Sequence, residues 1–338
     1  MPMRKIQTKF TQMIKNLNEG KIKYDPIDEK PIDFRSYANA QINEIRDYIN
    51  LTRELVNEVE RRLGHIVNTK DVGRPSKNKF DIAKAVLLQQ FFEVSNRTAE
   101  GLADLFKEKL NITEHVTYQD IGRAYEDGEV ILIIKTVFDI SNEPVKAKER
   151  EFAQDGTGMH TTIKENYADD KERKIFNMLM FMAGVNYKLI SAFDSDKGPL
   201  NESPYLIPLL EETVSKVDYI SLVSLDAAYI SKANCNAIAA IGAVPRIYPK
   251  ENLRINKRGS LSWKLMLMDF VNDIQAWLEQ YHKRSIAESI NSVLKNRFTR
   301  PLLKRLDDRR RAEICFRVTR YNIRRLSYIH HMTDIDVK

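Results

Sequence analysis

"REFAQDGTGM", residues 150–159, is where the texture of this chain changes: apolar residues give way to an aspartate followed by glycine. The pattern predicts a short strand ending at Asp155. Next come "KIFNMLMFMAG" (174–184) and "KLISAFDSD" (188–196), strand patterns separated by the turn-like "GVNYK", which predicts a hairpin. "SPYLIPLLEETVSKV" (203–217) reads as helix, and "DYISLVSLDAAY" (218–229) as a buried strand ending at Asp226. "SKANCNAIAAIG" (231–242) is helical with Gly242 as its stop, and "AVPRIYP" (243–249) is a last strand. A helix from Leu261 to about Gln280 and another beginning at Tyr281 close the region. Three strands, then helix, strand, helix, strand, helix predicts a mixed α/β sheet with helices on its faces.

Upstream the chain reads as helix. Residues 36–63 carry one or two amphipathic helices ending at Gly64, and "NTKDVGRPSKNK" (68–79) is a polar break that reads as a linker. Three short helical patterns follow at 80–95, 96–110 and 116–127, with Asn96 and Thr117 placed as N-caps. This is helix-turn-helix-like, although a small helical bundle has the same pattern. The expected organisation is a helical N-terminal region (1–67), a helical DNA-binding region (68–148) and an α/β domain (149–330).

The 338 residues are 43% hydrophobic and 30% charged, as in a soluble globular protein, and no apolar run is long enough for a membrane span. "MPMRKIQTKF" lacks the apolar core of a signal peptide. The two cysteines, Cys235 and Cys315, have no metal-type spacing, which points to a reducing, cytoplasmic compartment. The net charge of +7 is concentrated: Lys250 to Arg325 holds 19 Lys and Arg against 8 Asp and Glu. Such a surplus favours a polyanion, nucleic acid above all, over a plain solvated surface.

Asp155 and Asp226 fall at predicted strand ends, where α/β sheets open into ligand crevices. Taken singly, each would read as a cap or turn residue. "YHKRSIAESINSVLK" (281–295), placed on one helix, gathers Tyr281, Arg284, Glu288 and Lys295 within about 60° of one another. Ile286, Ile290, Val293 and Leu294 lie opposite, so the polar stripe faces either solvent or a partner. Three carboxylates without histidine or cysteine suit Mg²⁺ or Mn²⁺ if they converge.

"DGTG" at Asp155, "DAAY" at Asp226 and Tyr281-x2-Arg284-x3-Glu288-x6-Lys295 together resemble the DDE transposases of prokaryotic insertion sequences. More narrowly, the chain is similar to the insertion-sequence-four-type group with the Y-x2-R-x3-E-x6-K signature, from about residue 70 to 325. The resemblance implies a ribonuclease-H-like catalytic fold, with Asp155, Asp226 and Glu288 as catalytic ligands of two divalent ions. It also implies that Tyr281, Arg284 and Lys295 grip phosphates of a transposon end. The implied partners are double-stranded DNA, both transposon ends and target, and a second copy of the chain in the synaptic complex. The implied setting is the prokaryotic cytoplasm, at the nucleoid. Two rivals remain: a transposase-derived DNA-binding protein that no longer cleaves, and a metal-dependent endonuclease without strand transfer.

One departure stands out. Some relatives carry a β-rich insertion between the second aspartate and the glutamate, where an aromatic residue holds a flipped base. Here that gap spans only residues 226 to 288, too little for such a domain. Trp263 and Trp277 then read as core residues rather than base platforms. His160 and His282 are incidental to two-metal chemistry. Gly73-Arg74-Pro75 resembles a minor-groove hook but reads better as linker.

Overall fold

The computed structural model describes residues 3–24, 33–64, 77–168, 171–256, 258–297 and 300–337. The Gly73-Arg74-Pro75 segment lies outside them. The helices ahead of the sheet are α1 (Met3–Asn18), α2 (Phe34–Leu63), α3 (Lys79–Phe92), α4 (Asn96–Leu105), α5 (Lys107–Leu110), α6 (Tyr118–Arg123) and α7 (Gly128–Ile140). Then come β1 (Glu151–Ala168), β2 (Lys171–Gly184), β3 (Ile190–Lys197), α8 (Leu206–Val214), β4 (Leu222–Leu225), α9 (Lys232–Ala240) and β5 (Val244–Ile247). Helices α10 (Leu261–Asn272), α11 (Ile274–His282), α12 (Ser285–Ser292) and α13 (Asp307–Met332) complete the chain. No described helix is long and apolar enough to cross a membrane.

The sheet order is β3-β2-β1-β4-β5. Strand β2 runs antiparallel to both β1 and β3, whereas β4 runs parallel to β1 and to β5. The predicted order of strands and of the helices between them holds, but the helix expected from Leu261 to about Gln280 is two, α10 and α11, which part at Asp273. One boundary moves: β1 does not stop at Asp155 but runs on, because β2 pairs with it well past that residue, through His160↔Phe176 and beyond.

Both faces of the sheet are covered, which explains the unbroken apolar run at 178–183. Met180 and Met182 point into a core with Phe152, Val223, Trp263 and Trp277, while Leu179, Phe181 and Ala183 join Phe138, Ala287, Ile290 and Ile314 on the other side. Helix α1 belongs to the first core, with Phe10 edge-on to Phe270. Helix α2 packs instead on α13, α3 and α7 around a third, all-helical core.

Two N-terminal caps differ in outcome. Thr117 caps α6 in a reciprocal capping box with Asp120. The cap of α4 is Ser95 rather than Asn96, its Oγ accepting from the Thr98 N–H at 3.2 Å. Asn96 is the first helical residue, and its Oδ1 accepts from Gln89 instead, at 2.7 Å.

The basic C-terminal stretch also has an unforeseen destination. Helix α13 is largely buried, and Arg310, Arg317, Arg320 and Arg324 go into the interior with it. Arg317 pairs with Glu313 at 2.7 Å and Arg324 with Glu44 at 2.8 Å. Much of the charge surplus that sequence assigns to a polyanion partner therefore holds helices together.

Candidate active site

Parallel register brings the two aspartates together. Glu151, Phe152 and Ala153 of β1 pair with Leu222, Val223 and Ser224 of β4. Continuing that register two residues along each chain sets Asp155 level with Asp226, side chains on the same face as Ala153 and Ser224. Strand β4 ends at Leu225, and Asp226 caps the short turn Ala227–Tyr229 through the Ala228 N–H. It is thus a turn residue and a crevice residue at once.

Glu288 arrives from α12, but not on the single helix that its sequence predicts. The helix breaks at Lys283–Arg284, between α11 and α12, and a π-turn at Val293–Arg297 follows. The reason is packing. Helix α11 buries Trp277 and Leu278 in the core on one side of the sheet, while α12 buries Ala287 and Ile290 in the core on the other. One straight helix cannot serve both. At the break, Lys283 ties down to both carboxylate oxygens of Glu151 at 2.8 Å.

Despite the break, three of the four stripe residues stay close. Arg284 donates through Nε to the Tyr281 hydroxyl at 3.0 Å. Its Nη2 meets Glu288 Oε1 at 2.5 Å and Asp226 Oδ2 at 3.8 Å. One guanidinium nitrogen therefore stands between two of the carboxylates. The Tyr281 ring stacks on Trp277 with centroids 5.3 Å apart and also lies under the Arg284 guanidinium, 5.7 Å from the ring centre. Lys295, displaced by the π-turn, is exposed and lines a groove beside Met159 and His160.

Asp155 joins the group through the next turn of α12, accepting from Asn291 Nδ2 at 2.7 Å. Burial pushes its carboxyl from an ordinary 3.8 up to about 6; the Gly156 N–H opposes the shift, and Glu202 and Glu288 add repulsion. Arg284 is raised too, but for the opposite reason. Burial acts against its charge, but Tyr281, Glu288 and Asp226 outweigh burial and raise its pKa.

Sequence reasoning missed two neighbours. Glu202 lies over Gly156, where an added Cβ would come within 2.5 Å of its carboxylate, and it accepts from the Tyr229 hydroxyl at 2.9 Å. Asn291 sits one helical turn beyond Glu288, a spacing that could have flagged it. Glu202, in the turn-like "NESPY", carries no periodic signal. Of the remaining candidates, Trp263 and Trp277 are each 2% exposed and sit in the core, His282 stacks on Tyr24, and His160 is exposed in the groove.

The donor set is all oxygen and strongly anionic, the type a hard divalent cation takes. Among the described residues, however, no three His, Cys, Asp or Glu side chains stand close enough together to hold an ion. The chemistry fits, while Arg284 supplies the positive charge between Asp226 and Glu288.

Asp155 gives a stability prediction with a definite sign. A carboxyl raised to about 6 contributes stability that is complete below its unfolded value near 3.8 and is lost as pH rises through about 6. Asp155→Asn removes that loss. In chelator, the variant should exceed wild type at neutral pH by about 1–3 kcal/mol, with the gap closing toward pH 4. Urea midpoints at several pH values test it, and a gap independent of pH would refute the assignment.

Asp155 within β1, Asp226 just past the end of β4 and Glu288 on α12 thus lie around Arg284 and Asn291. No protein-family model matches the chain. It is 30% identical over 266 residues to a probable transposase for insertion sequence element ISA1214 of Archaeoglobus fulgidus, covering 76% of this chain and 78% of the relative. The chain belongs to the insertion-sequence transposases. A pre-cleavage Mos1 transpososome aligns over 69% of this chain and 84% of its own, at 13% identity and a TM-score of 0.22, too low to bear on the fold.

Proposed function

We propose that this chain binds the terminal inverted repeats of an insertion sequence and catalyses divalent-metal-dependent DNA strand cleavage and strand transfer. The observation that carries the reading is Arg284 standing between Glu288 and Asp226, with Asn291 on the helix of Glu288 holding Asp155 by a hydrogen bond. The strand order, with three antiparallel strands followed by two parallel ones, supports a ribonuclease-H-like reading of residues 149–330.

Asp155, Asp226 and Glu288 are the residues that would hold Mg²⁺ or Mn²⁺. Two such ions, when bound, would activate the attacking oxygen and stabilise the leaving one in an in-line displacement at phosphorus. The chain's own groups do the positioning. Tyr281 steadies Arg284, whose planar fork suits a phosphate beside the scissile bond, and Lys295 offers a point charge further along. Asn291 holds Asp155 by its hydrogen bond, and Glu202 flanks it across Gly156. Helices within 68–148 serve as the DNA-binding region, where Gly122 lets α6 approach Asn96 at the start of α4. The expected working form is a homodimer on paired ends, in the cytoplasm at the nucleoid.

The test uses a duplex carrying one element end and a supercoiled target. With Mg²⁺ or Mn²⁺, we expect cleavage at the end and joined products, both abolished by chelator. Cleavage without joining would instead favour a nuclease, and binding without either would favour a DNA-binding derivative.

A further inference from the structure

Three cavities adjoin along one side of the molecule. The first, of about 630 Å³, lies between β1 and Leu294, Lys295, Arg300 and Pro301. A second, a narrow cleft of only about 60 Å³, shares Arg300 and Arg317 with it and continues past Lys304 to Asn96. A third, of about 470 Å³, shares Asn96 and Lys304 with the second and ends at Tyr118, Gly122 and Arg123, on α6. Together they form a trough from the catalytic strand to the facing ends of α4 and α6.

The charges in this trough fall into two kinds. Arg309 and Arg317 are neutralised by Glu126 and Glu313. Lys295, Arg300, Lys304 and Arg123 have no carboxylate partner among the described residues. Lys304 is the most telling. Its ammonium lies 3.6 Å from the centre of the Tyr125 ring, half-buried, and burial lowers its pKa. Its loop is built firmly: the buried Glu313 carboxylate accepts from the Leu303 and Lys304 N–H groups, and Leu302 bridges to Thr161 of β1. A fold that pairs its other arginines nearby yet holds four unpaired cations along one groove carries a repulsion that a polyanion relieves.

We infer that this trough is the track of the DNA duplex flanking the cleaved phosphate, running from Lys295 past Arg300 and Lys304 to Arg123 on α6. This rests on the transposase reading and adds the surface that joins the two halves of the chain along one DNA. Spacing supports a long ligand: the cations span several elements, and a single phosphate could touch only one end.

The test measures binding of a fluorescent duplex by anisotropy across a salt series. Every cation that grips a phosphate adds roughly one unit to the slope of log affinity against log salt, and its removal should take that unit away. The triple variant Arg123→Gln, Arg300→Gln, Lys304→Gln should therefore drop by about three units and bind about tenfold or more weakly at low salt. A control triple at exposed positions outside the trough, Lys5→Gln, Arg46→Gln, Lys148→Gln, should keep the wild-type slope. If Lys304→Gln lowers thermal stability, the double variant at the exposed Arg123 and Arg300 is used, with about two units expected. A steep wild-type slope left unchanged by the trough variants would overturn the track while the transposase reading stands. Wild type that does not bind duplex DNA would overturn both, and preference for duplex RNA would overturn the choice of ligand.

Discussion

Alanine at Asp155, Asp226 or Glu288 should reduce cleavage of an element end by about a thousandfold or more, which is at least about 4 kcal/mol in the barrier. Duplex affinity should change only a few-fold, because binding rests mainly on phosphate contacts elsewhere. On the proposed mechanism the three positions act as one unit. Remove Asp226, and Arg284 keeps Glu288 as its carboxylate partner. Remove Glu288, and the guanidinium is left with Asp226 alone, at 3.8 Å. Remove Asp155, and Asn291 loses its acceptor beside the site. Since each deletion disables the same group, double variants should be no slower than singles. Nicking assays with Mg²⁺ on wild type and the three single variants decide it. An Asp226→Ala protein that cleaves at the wild-type rate would end the carboxylate mechanism.

The sheet was legible because its signals are local: apolar runs bounded by turns at 184–188 and a strand stopped by Asp226. The aspartates' convergence was legible only by resemblance, since register across β1 and β4 is a long-range property. Two readings failed for physical reasons that sequence hides. The helix at 281–295 breaks because its two halves serve cores on opposite faces of the sheet, and helical periodicity cannot register a change of partner. The arginines of α13 look like a nucleic-acid surface in a charge count. Two of them find partners over two hundred residues away, Glu44 for Arg324 and the Gln90 carbonyl for Arg320. Glu202 escaped notice because its only mark is the glycine it covers.

Glu149→Ala should destabilise the protein by about 2–4 kcal/mol, the scale for leaving several buried donors without their shared acceptor. Glu149 is 2% exposed and has no role in the chemistry. Its carboxylate accepts from the backbone N–H groups of Arg150, Glu151, Asn186 and Tyr187, and from the Asn186 amide. It thereby fastens the start of β1 to the turn between β2 and β3. Gly184 makes room for it, since a Cβ there would overlap Glu149 Oε2. In the alanine variant these donors lose their shared acceptor, and each left dry costs about 1–3 kcal/mol, less where water enters. Against a typical stability of about 5–15 kcal/mol, that is a large fraction. Glu149→Gln keeps the shape but turns an N–H₂ toward the same donors, so an intermediate loss is expected. Because the start of β1 sets the register that levels Asp155 with Asp226, cleavage should fall in both variants even where most of the protein remains folded. Urea midpoints and nicking rates measured together test this. A midpoint within error of wild type for Glu149→Ala would mean that the turn holds without it, and that pairing of β1 with β4 alone fixes the aspartates.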